Sequence, residues 1–164
     1  MKKITLSIIA LLISGYCMAQ QDLAFPFQGG QPIMTKFFKD SVIVSKEIIR
    51  KRATGMAIFK FTADDSGKLS KIVVYYADDL LLTQPIIEAL KKSSRKWIIP
   101  NREKFHDFII PFSIRLNASP KALAEVQKTH FDTYKSNTPL ISADQIPLNE
   151  ASLLPTIVVN YDVN

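Results

Sequence analysis

Apolar and polar positions alternate most clearly over Ala57, Phe59, Phe61 and Ala63, with Ile58, Lys60 and Thr62 between them. A period of two predicts a strand. Asp64-Asp65-Ser66-Gly67 follows as a turn sequence, with glycine supplying a positive φ. Leu69 to Tyr76 is rich in β-branched and aromatic residues and predicts a second strand. Two strands joined by a short glycine-containing turn predict an antiparallel hairpin. Alternation returns at Phe108, Ile110, Phe112, Ile114 and Leu116. Pro111 has no N–H to give, which predicts a sheet edge or a bulge for this third strand.

Helical spacing occupies the segments between. Ile43, Ile48 and Ile49 among Lys46, Glu47, Arg50, Lys51 and Arg52 predict a helix within 35–55, ending at a left-handed Gly55. Asp78-Asp79 is a candidate cap. Thr83-Gln84-Pro85 is a second helix start, with Pro85 in the first helical position. Ile86, Ile87, Leu90 and Trp97 form that helix's apolar stripe and Pro100 stops it. Residues 20–34, with Pro26, Gly29, Gly30 and Pro32, read as an irregular lead-in. In the last third, Ser119-Pro120 starts a helix carrying Leu123, Val126, His130 and Tyr134. Ile157, Val159, Tyr161 and Val163 alternate as a terminal strand, which extends the sheet, caps the edge of the third strand or pairs with another chain. The expected fold class is α+β: a small antiparallel sheet of hairpin, helix and strand, packed against helices. A helix-plus-strand extension follows at 117–164.

The start of the chain changes the setting. Lys2 and Lys3 precede an apolar run from Ile4 to Ile13, and small residues stand at Cys17 and Ala19. This is the layout of a cleavable signal, cut after Ala19. A spanning helix needs about 20 apolar residues, roughly twice this run. Tyr16 is too bulky for the position before a lipidated cysteine, so Cys17 reads as part of the signal. The expected domains are 1–19 signal, 20–34 lead-in, 35–116 folded domain and 117–164 extension. Without the signal no cysteine remains, which removes disulfides, thiol nucleophiles and Cys-ligated metals. The remaining length supports one core. The whole chain carries a formal +6, and loss of Lys2 and Lys3 leaves 19 basic against 15 acidic residues. Export argues against nucleic acid as the partner and points the charge toward anionic envelope surfaces.

Candidate chemistry is sparse. His106-Asp107 would point to opposite faces of a strand, and His130 and Asp132 do not face each other on a helix. Two histidines without cysteine make a poor metal set. A hairpin separates Asp64-Asp65 from Asp78-Asp79 by about 20–30 Å, so these read as turn and cap carboxylates. No nucleophile elbow, phosphate loop or metalloprotease motif is present. No catalytic residue, metal or cofactor is expected, and a hydrolase with a site assembled only in three dimensions is the remote alternative. Lys91, Lys92, Arg95 and Lys96 form a basic stretch.

Residues 35–116 resemble the carboxy-terminal domain of TonB, as found in short exported proteins of Bacteroidetes-type bacteria. The features are Gly55 followed by A-x-F-x-F-x-A, the turn Asp65-Ser66-Gly67-Lys68, and Leu69, Ile72 and Val74. Lys96-Trp97 with Pro100, and Ile110-Pro111-Phe112, complete the series. The resemblance implies an antiparallel sheet backed by helices that grips peptide segments of envelope proteins in the periplasm, partly by strand addition. TonB keeps an amino-terminal anchor and a proline-rich spacer. Here the signal reads as cleavable, no such spacer follows, and Val44-Ser45 replaces a common Tyr-Pro pair. The expectation is therefore binding without energy transduction. The expected partner-binding edge is Ile109, Pro111, Ser113 and Arg115, blocked by a proline at Ser113 or Arg115. The alternative is electrostatic attachment through Lys91, Lys92, Arg95 and Lys96.

Overall fold

The computed structural model describes residues 25–99, 103–117, 127–128, 131–132, 135, 138–143 and 151–163. The signal segment lies outside the described residues. So does most of the expected helix after Ser119, of which residues 127–128, 131–132 and 135 are helical.

The architecture is α+β. Helices α1 (Gly30–Ser41) and α2 (Lys46–Lys51) lead into strands β1 (Gly55–Asp64) and β2 (Leu69–Ala77). A 3-10 turn, Leu80–Leu82, and helix α3 (Thr83–Lys92) follow, then β3 (Phe105–Leu116), β4 (Leu140–Ile141), β5 (Ser152–Leu153) and β6 (Ile157–Tyr161). The sheet order is β4-β2-β1-β3-β5, with β6 also on β3. β1 pairs antiparallel with β2 and with β3, and β2 antiparallel with β4. β5 and β6 run parallel to β3. The sheet is thus mixed and six-stranded, larger than the small antiparallel sheet expected.

The predicted strands place their alternate residues in the core. Ala57, Phe59, Phe61 and Ala63 of β1 and Phe108, Ile110, Phe112 and Ile114 of β3 are buried. Ile157, Val159 and Tyr161 extend that layer from β6. Met34 and Phe38 of α1 and Ile86, Ala89 and Leu90 of α3 cover it. The centre is aromatic: Trp97 lies 4.5 Å from the Phe61 ring centroid and 5.0 Å from Phe27. Its indole N–H donates to Ser93 Oγ at 3.0 Å, so burial leaves that donor satisfied.

Five local expectations change. Residues 30–34 are helical rather than irregular. Pro32 falls in the first turn of α1, where no intrahelical N–H is needed. The expected single helix over 35–55 is broken at Val42–Ser45. Three consecutive β-branched residues interrupt it, and Ser45 starts α2 by accepting from the Ile48 N–H. The left-handed residue closing α2 is Arg52 (φ 50°), while Gly55 opens β1. α3 stops at Lys92, so Trp97 reaches the core from the following turn rather than from the helix; Pro85 is the third residue of α3, still in its first turn.

Candidate functional site

The expected edge is not an edge. β3 has β1 on one side and β5 and β6 on the other. Leu154 N–H donates to Ile109 O at 2.8 Å and Asn117 N–H to Tyr161 O at 2.8 Å. Backbone groups on a strand alternate in direction, so Ile109, Pro111, Ser113 and Arg115 all turn theirs toward the chain's own last segment. Pro111 is nevertheless where its chemistry requires. β5 pairs as far as Ile109 and β6 begins opposite Phe112. The missing N–H therefore faces the interval between them. A proline at Ser113 or Arg115 would break pairing with β6, not a partner's strand.

The outer side of β2 is different. β4 pairs with Tyr76 and Ala77, and Ser142 N–H donates to Tyr75 O at 3.0 Å. No other described strand lies along Leu69–Val74. Asp78 N–H donates to Met56 O, which fixes the alternation: Lys71 and Val73 bond inward to β1, and Ile72 and Val74 direct their backbone groups outward. Register irregularities fall at both ends of this stretch, between Ile58 and Phe59 and between Thr62 and Ala63 of the partner strand. Leu69 N–H is taken by Ser94 Oγ at 3.2 Å. The open row is short and bounded.

Lys91 and Lys92 sit in the last turn of α3, with Arg95 and Lys96 in the turn behind it. Arg95 is left-handed (φ 70°), held by its N–H to Gly67 O at 2.7 Å and by Gln28 Nε2 to its own carbonyl at 3.0 Å. Lys96 Nζ lies 5.4 Å over the Phe37 ring, a cation–π contact. Lys91, Lys92 and Arg95 are exposed. The nearby outer surface of α1 carries a hollow of about 440 Å³, whose lining includes Lys36, Lys39 and Asp40.

Asp64, Asp78 and Asp79 serve the turns and strand ends beside them. Asp64 Oδ1 accepts from the Ser66 hydroxyl and from the Ser66 and Lys68 N–H groups, which hold its carboxyl below the usual value. Asp78 accepts from Met56 N–H at 2.6 Å and from the Tyr76 hydroxyl. Asp79 caps the 3-10 turn through Leu81 N–H. Among the described residues no group of three or more His, Cys, Asp or Glu is placed to hold a metal ion.

His106 and Asp107 point to opposite faces, as adjacent strand residues do. Asp107 lies on the face opposite the Phe108 layer and accepts from Thr62 Oγ1 at 2.6 Å. Lys60 Nζ stands 3.0 Å from its other oxygen, with a side chain 5% exposed. That contact is an ion pair whose angle is poor for a hydrogen bond. Partial burial pushes the Asp107 carboxyl up, but the Thr62 hydroxyl and the Lys60 ammonium more than offset it and hold it below the usual aspartate range. His106 lies on the core face, its ring edge-on to Phe108. Its Nδ1 is 2.7 Å from Glu103 Oε2 and its Nε2 is 2.9 Å from Ser152 Oγ. Sequence reasoning missed this group because Ser152 lies 46 residues beyond His106 and meets it only through β5 on β3. Only the i,i+3 spacing of Glu103 and His106 was visible in the sequence.

Among the described residues no helix is long and apolar enough to cross a membrane. No protein-family model, curated protein or solved structure matches the chain.

Proposed function

We propose that this is an exported binding module, without catalysis in this role, that receives an extended segment of an envelope protein by strand addition on β2. The observation that carries the reading is the outer side of that strand. The protein's own Leu140–Ile141 already pairs there, antiparallel to Tyr76–Ala77. The row beyond it, with Ile72 and Val74 directed outward, accepts the same kind of neighbour. The TonB-like series of motifs over 35–116 supports the same mode, transferred from β3 to the opposite side of the sheet. The bounded row fits a segment of about four residues in register. Main-chain bonds would supply affinity, and half-buried Ile72, Val73 and Val74 the apolar surroundings.

The test is capture of partners from detergent-solubilised envelopes by the protein and by its Ile72→Pro variant, at low and high salt. Ile72→Pro removes one outward N–H and no ladder bond to β1, and edge positions tolerate proline. Partners held by the native protein at high salt and lost by the folded variant support strand addition. Equal capture by both overturns it.

A second reading, electrostatic attachment to an anionic envelope component, is favoured by one observation. Lys91, Lys92 and Arg95 are exposed with no ion-pair partner among the described residues. It requires binding to anionic vesicles that falls steeply with salt and weakens when these three are replaced by Gln.

A further inference from the structure

We propose that Ser152, His106 and Glu103 form an acyl-transfer site at the edge of the sheet, acting on short-chain carboxylic esters. This activity is independent of strand addition on β2.

A serine hydroxyl becomes a nucleophile when a base lies within hydrogen-bond reach and a third group orients that base. Both distances are met: 2.9 Å from His106 Nε2 to Ser152 Oγ and 2.7 Å from His106 Nδ1 to Glu103 Oε2. The third group also fixes the tautomer. An ionised carboxylate only accepts hydrogen bonds. Nδ1 must therefore carry the proton shared with Glu103, which leaves the Nε2 lone pair for the Ser152 hydroxyl. The imidazole is held, not loose: its side chain is 10% exposed and packs edge-on at 4.8 Å against buried Phe108. Glu103, at 43%, opens the group to water on its far side.

The backbone supplies the remaining part. Leu154 N–H bonds to Ile109 O. By alternation the Leu153 N–H, next after the nucleophile, is directed away from β3. It is placed as a donor for the oxyanion that develops when Ser152 attacks. Among the described strands β5 is the outermost on its side, so the hydroxyl stands at the rim of the sheet. A rim gives a long acyl chain little apolar wall to bind, so short-chain esters are the substrates proposed.

In the first half-reaction Ser152 Oγ bonds to the ester carbonyl carbon while its proton passes to Nε2. The tetrahedral adduct collapses, the bond to the alcohol oxygen breaks, and the alcohol leaves with the proton from Nε2. Water then gives a proton to Nε2 and attacks the acyl-serine. The carboxylic acid departs and Oγ recovers the proton. Nothing is oxidised or reduced.

The probes are a fluorophosphonate, with the adduct located by peptide mass spectrometry, and p-nitrophenyl acetate turnover, both on the full chain. Expected is an adduct on Ser152 and turnover that Ser152→Ala abolishes. His106→Gln, which lacks the base, slows both by about 100-fold. Glu103→Gln is nearly isosteric but offers an amide N–H to Nδ1, stabilises the wrong tautomer, and also slows both. No adduct on Ser152 in the native protein overturns the proposal. So does an adduct that forms equally fast in His106→Gln, or turnover unchanged in Ser152→Ala. The mapping on native protein stands even where a variant fails to fold.

Discussion

Single residues buried out of pattern carry the sharpest consequences. Lys60 lies in β1 and is only 4% exposed, with Asp107 as its ion-pair partner. Removing one member of such a pair strands the other charge. Asp107 is itself 30% exposed, so water softens the loss. Asp107→Ala is expected to cost about 2 kcal/mol in urea unfolding, and adding Lys60→Met to recover most of it, since no buried charge then remains. The sign of the pH effect follows from the lowered carboxyl. Its stabilisation is complete above the unfolded value of about 4 and is lost as pH falls through the lower folded value. Asp107→Asn should flatten that acid limb. Tyr161 gives the opposite limb. Burial pushes its hydroxyl up to about 12, against a weaker pull down from Arg52, and the hydroxyl donates to Ala53 O at 2.9 Å. Between the unfolded value of about 10 and the folded one, the unfolded chain alone gives up its proton, so stability falls as pH rises through that window. Tyr161→Phe loses about 1 kcal/mol at neutral pH and shows no such fall. Denaturant midpoints at pH 7, 10 and 11.5 separate the two.

At the level of elements, what could be read in advance is what local periodicity determines. All four alternate residues of β1 named from the sequence are buried, and so are Phe108, Ile110, Phe112 and Ile114 of β3. Gly67 was legible for the same local reason, and it has the expected positive φ of 73°. Its tertiary reason was not legible: a Cβ there would lie 2.4 Å from the Trp97 carbonyl oxygen, which is backbone and cannot swing aside. Gly67→Ala should therefore lose more than about 2 kcal/mol, well beyond the conformational cost alone, and lower Tm by thermal melting. Placement within the sheet was the failure. Proline is a reliable sign that one N–H has no ladder partner, but it does not say how long that vacancy is. Between β5 and β6 it spans a single interval, and the strand on either side is fully engaged. The Ser152–His106–Glu103 group was hidden for a related reason. Its members meet only because a two-residue strand, too short to leave a periodic signal, docks beside β3. Likewise Gly29-Gly30-Gln31-Pro32 carries every local mark of a loop, and it starts a helix because Met34 and Phe38, one turn apart, find a core to enter.

The last segment decides what kind of molecule results. Leu154, Ile157, Val159 and Tyr161 are all buried, and Tyr161 ties β6 to the end of α2 through Ala53. At about 1.5–3 kcal/mol for each such side chain, their combined burial is comparable with the whole stability of a domain this size. The segment is part of the core, not a strap lying over a ready-made binding edge. Truncation after Glu150 should accordingly abolish cooperative unfolding and cause aggregation, because β3 would lose its outer neighbours and present unpaired backbone beside a gap in the core. Near-ultraviolet circular dichroism and sedimentation of the truncated chain provide the check. A monomeric truncation that still unfolds cooperatively would mean that the core closes without β5 and β6. The row at Ile109, Ser113 and Arg115 would then be available to a partner, and β3 would regain the role that the resemblance implied for it.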